Sequence, residues 1–320
     1  MPDGPKLSAI IPPELAGMRL DQALARVFDD YSRTNLKNWL LAGHILKNGA
    51  VAKPRDQVLG GEEVSIIEIP NRDEPDLPEH IALDIIFADD DLLVVNKPAG
   101  LVTHPGAGNR AGTMLNGLLF FDPGLSALPR AGIVHRLDKD TSGLMVVARS
   151  LPAHTRLVQA LQEHQVQRTY QAICCNVPIS GGTISAPIGR HPNHRTKMAV
   201  VSRGKNATTH YRLIKRYPRH AHLEVTLETG RTHQIRVHLS HAGFPLVGDP
   251  SYGGNTRSAS GISASLRTTL AAFPRQALHA ARLALEHPIR SEQMKWEAPL
   301  PNDFSSLLLA LEQNKLGNAV

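Results

Sequence analysis

Nine residues near the middle of the chain, His135 to Gly143, read HRLDKDTSG and bring a histidine, two cations, two carboxylates and two hydroxyls together. Opposite charges within a few ångströms favour the anion, so Asp138, set among His135, Arg136 and Lys139, is expected to stay ionised. A carboxylate of that kind is a poor acid and a good nucleophile or base. The same composition also makes an ordinary surface ion-pair turn of little worth to stability, so RLD alone does not decide between the two.

Spacing narrows the other chemistries. Gly106, Gly108 and Gly112 in PGAGNRAGT follow GxGxxxG, and Gly106 lies 11 residues past Val95, not in the tight strand-to-helix turn of a dinucleotide site. No GxxxxGK[ST] phosphate loop and no HExxH zinc helix occur. Histidines come in close pairs, His191 with His194 and His238 with His241, but lack a carboxylate or cysteine at metal-ligand spacing. The only cysteines, Cys174 and Cys175, are adjacent and offer neither a disulfide framework nor a zinc motif. No cofactor and no metal are expected.

Positioning such residues needs a scaffold, and 320 residues with 42% hydrophobic content suit two domains with at least one sizeable core. No apolar leader and no run of about 18 apolar residues is found, so a cytoplasmic protein without a membrane partner is expected. The net charge of +6 suits a polyanionic partner. It is unevenly spread: residues 1–80 hold 9 Lys+Arg against 13 Asp+Glu, and the remainder 26 against 16. Between these regions, Ile69 to His80 carries three prolines in an acidic run and reads as a linker. The expected domains are residues 1–75 and 76–320. Gly253 to Ser265, rich in Gly and Ser, reads as a mobile surface loop.

In the first domain, Leu20, Leu24, Val27 and Phe28 form one helical face, and Ser32 can cap a second helix holding Leu36, Trp39 and Leu40, ended by Gly43. Asn48-Gly49 marks a hairpin, and Val64 and Ile66 a strand. In the second, strands are expected at Ile85–Phe87, Leu92–Val95, GLMVVAR, TYQAICC and HLEVTLET. Helices are expected in LPAHTRLVQALQEH and in RTHQIRVHLSHAG, the latter capped by Thr232, with Ile235 and Leu239 inward. Strands and helices do not alternate regularly, which gives an α+β class with a largely antiparallel mixed sheet flanked by helices and loops.

Two resemblances then stand out. SRTNLKNWLLAGHILKNG resembles the S4 RNA-binding module, two helices followed by strands, although His44 and Lys47 stand near positions where that pattern usually has small apolar residues. NKPAGLVTHPG, GIVHRLDKDTSGLMVVAR, QRTYQAI and LETGRTHQIRVHLSHAGFPLVGDPSYGG, in that order, resemble the RluA-type family of pseudouridine synthases. Together the two likenesses span nearly the whole chain.

The resemblance implies an isomerase that breaks the N1–C1′ bond of a uridine, turns the base and joins C5 to C1′, a rearrangement that needs neither redox cofactor nor energy source. It implies that Asp138 acts on the target nucleotide at C1′, at C2′ by proton abstraction, or at C6, with Asp140 a structural neighbour. It makes Arg231 the arginine that pairs with Asp138, and Tyr170 the ring that stacks on the base and serves as general base at C5. Arg136 would fill the stack vacated by an extruded uridine, and Ile235 would wall the base pocket. Arg190, Arg195 and Lys197 lie in a basic run that also holds Arg203 and Lys205 and would meet RNA phosphates. The implied partner is large-subunit (23S) ribosomal RNA, at the helix 69 stem-loop, met by a monomer. A catalytically silent ribosome-binding or assembly protein would use the same surfaces.

Overall fold

The computed structural model describes residues 7–28, 31, 33–67, 77–106, 109–194, 196–253 and 262–317. Ser32, most of the Gly253–Ser265 segment and Arg195 therefore lie outside the described residues. The chain gathers into two compact units, Met1–Asp76 and Leu77–Val320.

The first unit packs α1 (Leu20–Val27) and α2 (Arg33–Ala42) on a sheet of β1 (Leu7–Ile10), β2 (Ile45–Lys47), β3 (Ala50–Val51) and β4 (Glu63–Ile66), in the order β1-β4-β2-β3. Leu20, Leu24, Leu36, Trp39 and Leu40 form its core with Val64 and Ile66, as the helical and alternating patterns require. Lys47 pairs with Ala50 across Asn48 (φ 49°) and Gly49 (φ 76°). Both turn residues are left-handed, the geometry of a type I′ hairpin and the reason for Asn-Gly there.

The second unit is built on a nine-stranded sheet. Its strands are β5 (Asp84–Ala88), β6 (Leu92–Lys97), β7 (Ser142–Ala148), β8 (Gln167–Cys175), β9 (Gly182–Ser185), β12 (Thr208–Arg216), β13 (His220–Leu227), β14 (Leu278–Glu286) and β15 (Gln293–Glu297). The order is β5-β6-β7-β14-β8-β13-β12-β9, with β15 on β14, and the pairing is antiparallel except between β7 and β14. Where those two run parallel, a Cβ on Gly143 (φ 114°) would sit 2.2 Å from the Ala280 carbonyl oxygen, so only glycine fits. A separate hairpin joins β10 (Ile188–Arg190) to β11 (Met198–Val200).

Both faces of the sheet are covered, which is why β7 is buried along its whole length. On one face α3 (Met114–Phe121) and α5 (Gln234–His241) pack over Val95, Met145, Tyr170, Leu223 and Leu278. On the other, α4 (Leu151–Gln162) covers Leu144 and Val146, while α6 (Ala264–Ala272) and α7 (Asn302–Gly317) cover Ile173 and Cys175. Odd residues of β8 thus face one layer and even residues the other. The expected α+β architecture with a largely antiparallel mixed sheet is what forms. One expected cap differs: His233, not Thr232, precedes α5, and it adopts φ 56°. The Gln234 Oε1 accepts from the Arg231 N–H (2.9 Å) and the Thr229 hydroxyl (2.8 Å), folding residues 229–233 into a tight turn and moving the helix start onward.

Among the described residues no helix is long and apolar enough to cross a membrane.

Candidate active site

Asp138 sits in the loop between Gly132 and β7, on the face of the sheet that carries Tyr170 and α5. Side chains from two distant segments hold that loop. Thr103 donates its hydroxyl to the Leu137 carbonyl (2.8 Å). Lys97, fully buried at the end of β6, donates from Nζ to the carbonyls of Pro98, Leu101 and Lys139, each at 2.9 Å. Arg275 donates to the Asp140 carbonyl (3.3 Å), and Gln276 to the Thr141 hydroxyl (3.1 Å). NKPAGLVTHPG is therefore a cradle for HRLDKDTSG.

The neighbours in sequence do not clamp Asp138 as expected. Arg136 and Lys139 are exposed, and His135 turns away to accept the Val146 N–H at Nε2 (3.0 Å). Burial pushes His135 down to about 3, so it is neutral. Consecutive residues of an extended loop point in different directions, which is why proximity in sequence fails as a guide here.

The cation that meets Asp138 comes from α5. Arg236 Nη1 donates to Asp138 Oδ2 at 2.9 Å, while its Nε and Nη2 grip Asp249 Oδ2 and Oδ1 at 2.7 and 2.9 Å. Burial alone would disfavour the Arg236 cation, but the hydrogen bonds and charges of Asp249 and Asp138 hold it protonated. Asp249 is buried, which opposes its anion, yet Arg236 and the Ser251 and Tyr252 N–H groups bring its carboxyl below the usual range. The Arg236 guanidinium also lies over the Tyr252 ring, 5.0 Å from its centre.

His233 completes this side. The Met198 N–H donates to Tyr252 Oη (2.8 Å), which leaves the Tyr252 proton for His233 Nδ1, also at 2.8 Å. The pattern assigns the proton of His233 to Nε2, 3.9 Å from Asp138 Oδ1, beyond hydrogen-bond range and inside Coulombic reach. Burial lowers the His233 pKa against the pull of Asp138.

Arg231 is thus displaced from the role expected of it. It is exposed on the turn before α5, with Nε donating to the Asn206 carbonyl (3.3 Å), and Arg236 occupies the place beside Asp138. RTHQIR offers two arginines, and choosing between them needs the helix start, which the misread cap concealed. Asp249, Tyr252 and His233 likewise have no role in the sequence reading, although the segment that carries the family resemblance, which runs on to GDPSYGG, holds all three. Tyr170 is buried on β8, and its pKa is raised by burial, against Arg168 and with Asp138. Ile235 is buried in the same core cluster as Tyr170. Asp140 contributes its carbonyl to Arg275. Among the basic run, Arg190, Arg203 and Lys205 are exposed, whereas Lys197 donates to the Ser251 carbonyl (2.9 Å) and ties β11 to the Asp249 loop.

A carboxylate paired with a guanidinium that Asp249 shares, and a buried phenol, suit chemistry on a sugar that develops positive charge at an anomeric carbon. Among the described residues no group of three or more His, Cys, Asp or Glu is placed to hold a metal ion.

Comparison with known proteins identifies the chain's relatives. The family model described as RNA pseudouridylate synthase matches residues 91–241, and that of the S4 domain matches residues 18–64. The chain is 52% identical over 316 residues to the ribosomal large subunit pseudouridine synthase D of Pseudomonas aeruginosa, covering 98% of each. It is also 52% identical to the Escherichia coli K12 protein of that name, covering 95% of this chain and 93% of the relative. Among solved structures, human RNA pseudouridylate synthase domain containing 4 superposes with a TM-score of 0.56 at 29% identity, covering 72% of this chain and 93% of that one.

Proposed function

The chain belongs to the RluA-type pseudouridine synthases, isomerases of RNA uridine with an S4 domain ahead of the catalytic unit, and from that premise we propose that its substrate is large-subunit ribosomal RNA. The name shared by relatives 52% identical over nearly the full chain supports this choice. Within that RNA we take the helix 69 stem-loop as the target. A basic catalytic unit with exposed Arg190, Arg203 and Lys205 suits the phosphates of a folded RNA.

In this reading Asp138 attends the sugar of an extruded uridine, as nucleophile at C1′ or as base at C2′, while the glycosidic bond breaks. Its Oδ2 is held by Arg236, so Oδ1 is the oxygen left to face the sugar. Arg136, exposed on the same loop, enters the stack that the uridine leaves. Tyr170 lies against the base and takes the C5 proton once the new bond has formed. Burial raises its pKa, so the phenol is neutral at rest; it first gives its own proton to solvent, and the phenolate, a stronger base for that raised pKa, then receives the C5 proton.

The single observation that carries the reading is the Arg236–Asp138 contact of 2.9 Å inside a loop held by two distant segments. The test is a map of pseudouridines in ribosomal RNA, read as carbodiimide-dependent reverse-transcription stops in cells carrying only the wild-type chain or only Asp138→Ala. The stops supplied by the wild type are expected to vanish, helix 69 stops among them, with rates in vitro down by about four orders of magnitude. Full retention of the stops would reject catalysis by Asp138. Loss confined to other sites would reject the helix 69 target alone.

A further inference from the structure

Arg168 has no role in the chemistry above. It is only 8% exposed, yet its Nε is buried without a hydrogen-bond partner, and among the described residues it has no ion pair. A largely buried guanidinium with no anion against it is costly and gains from a compensating charge. The side chain lies beside the reacting groups. Arg168 stands two residues before Tyr170 on β8, so both side chains leave the same face of the strand. Its charge is felt by Tyr170 and by His135, the first residue of HRLD. At its tip, a Cβ on Gly230 would approach Nη1 to 2.8 Å, so the guanidinium rests against the bare backbone of the turn that leads into α5. Arg168 therefore occupies the space between the Tyr170 strand, the Asp138 segment and the helix that carries Arg236.

We propose that Arg168 is a substrate-binding residue whose guanidinium receives a backbone phosphate flanking the target uridine. The proposal rests on the reading that Asp138 works on the ribose of an RNA uridine. An RNA chain carries a phosphate on either side of that ribose, so an anion arrives at the cleft together with the sugar. A uracil carbonyl would satisfy N–H donors and leave the charge uncompensated, whereas a phosphate supplies both and matches the fork of a guanidinium. A carboxylate built beside Arg168 would compete with RNA, and Asp138 is already engaged by Arg236.

The experiment compares wild type and Arg168→Met on short RNAs cut from whichever RNA the wild-type chain converts, so a wrong guess at the natural target changes the fragment and leaves the comparison standing. Each RNA carries a neutral methylphosphonate at the linkage 5′ or 3′ of the target uridine, with the adjacent 2′-hydroxyl methylated. A charged RNA with the same methylation is the reference, and filter binding gives Kd. Neutralising one of the two linkages is expected to weaken wild-type binding by about 10- to 100-fold. Arg168→Met should bind the charged RNA that weakly and lose nothing further on the neutral one. Its melting temperature should stay level or rise, because an uncompensated charge has been removed from the interior. Equal losses in both proteins overturn the proposal, as does a normal Kd for Arg168→Met on charged RNA. A loss that appears instead only with 4-thiouridine at the target assigns Arg168 to the base and also overturns it. Should Arg168→Met melt lower, Gly230→Ala gives a gentler displacement, since its Cβ pushes only the end of a flexible side chain; undiminished sensitivity to the neutral linkage there counts against the proposal.

Discussion

Arg236 is the side chain on which the two acids of the site meet, and removing it leaves both unpaired. Asp249 has no exposed side-chain surface, so Arg236→Ala strands a buried carboxylate. Breaking such a pair costs about 3–5 kcal/mol, to be read from urea denaturation at neutral pH. Arg236→Lys keeps the charge but cannot grip Asp249 with two nitrogens and reach Asp138 with a third. It should recover most of the stability while kcat stays depressed at least about tenfold, with KM little changed, because the loss falls on the orientation of Asp138. Recovery of both together would mean that charge alone matters. The sequence motifs point to Asp138, Tyr170 and Arg136 as members of the proposed site. They do not point to Arg236, because its place depends on where α5 begins, and that start is set by the Gln234 side chain bonding back to the Thr229–Arg231 turn.

At the scale of elements, the loop bearing Asp138 has no helix or strand of its own and is held by neighbours, Lys97 at the end of β6 above all. The three N–H groups of its ammonium match three carbonyls one for one. Lys97→Met keeps the stem and leaves those carbonyls unpaired, which should cost about 2–5 kcal/mol and lower kcat by loosening the Asp138 loop. Stability should also change its pH dependence. Burial pushes the Lys97 pKa down to about 7, against the pull of Asp140 and Asp138. Above pH 7 the unfolded chain then binds the proton that the folded chain releases, so wild-type stability gains up to about 1.4 kcal/mol per pH unit from this group until the unfolded lysine itself titrates. A denaturation series from pH 7 to 9 should show that gain in the wild type and not in Lys97→Met, and parallel series would exclude it. Strands of continuous or alternating apolar residues, such as β6, β7, β8 and β13, could be read directly. Central β14, Leu278–Glu286, could not: LHAARLALE is made of strong helix formers and becomes a strand because it is buried between β7 and β8. Short β9, β10 and β11 are partly exposed, and carry too few apolar residues to announce a period.

Over the whole molecule, the two units differ in how acid should act on them. In the Leu77–Val320 unit, burial pushes His104, His220, His222 and His279 down to about 4 and His135 to about 3. These rings are neutral when folded, while in the unfolded chain each takes a proton near its ordinary value of about 6.5. Between those values the unfolded state binds more protons, so their contribution is whole above pH 6.5 and is lost as pH falls toward 4. Among the described residues of the Met1–Asp76 unit the shifted groups are Asp21 and Glu62, buried carboxyls brought below their usual range by Arg33 and Arg19 and by the Leu59 and Gly60 N–H groups respectively. Depressed carboxylates lose their contribution only below about pH 4. Acidification from pH 7 to 5 should therefore weaken the second unit and spare the first. The chain supplies its own reporters: its only two tryptophans are Trp39, in the core of the first unit, and Trp296, in the second. In the Trp39→Phe variant, fluorescence follows Trp296, and its urea midpoint should fall steeply from pH 7 to 5, with roughly four protons taken up on unfolding near pH 5. In Trp296→Phe, the Trp39 midpoint should hold nearly constant over the same range. If the two midpoints moved together, either the buried histidines are not neutral or the two units do not unfold independently, and proton uptake measured by calorimetry separates those cases, since only the second preserves the four protons.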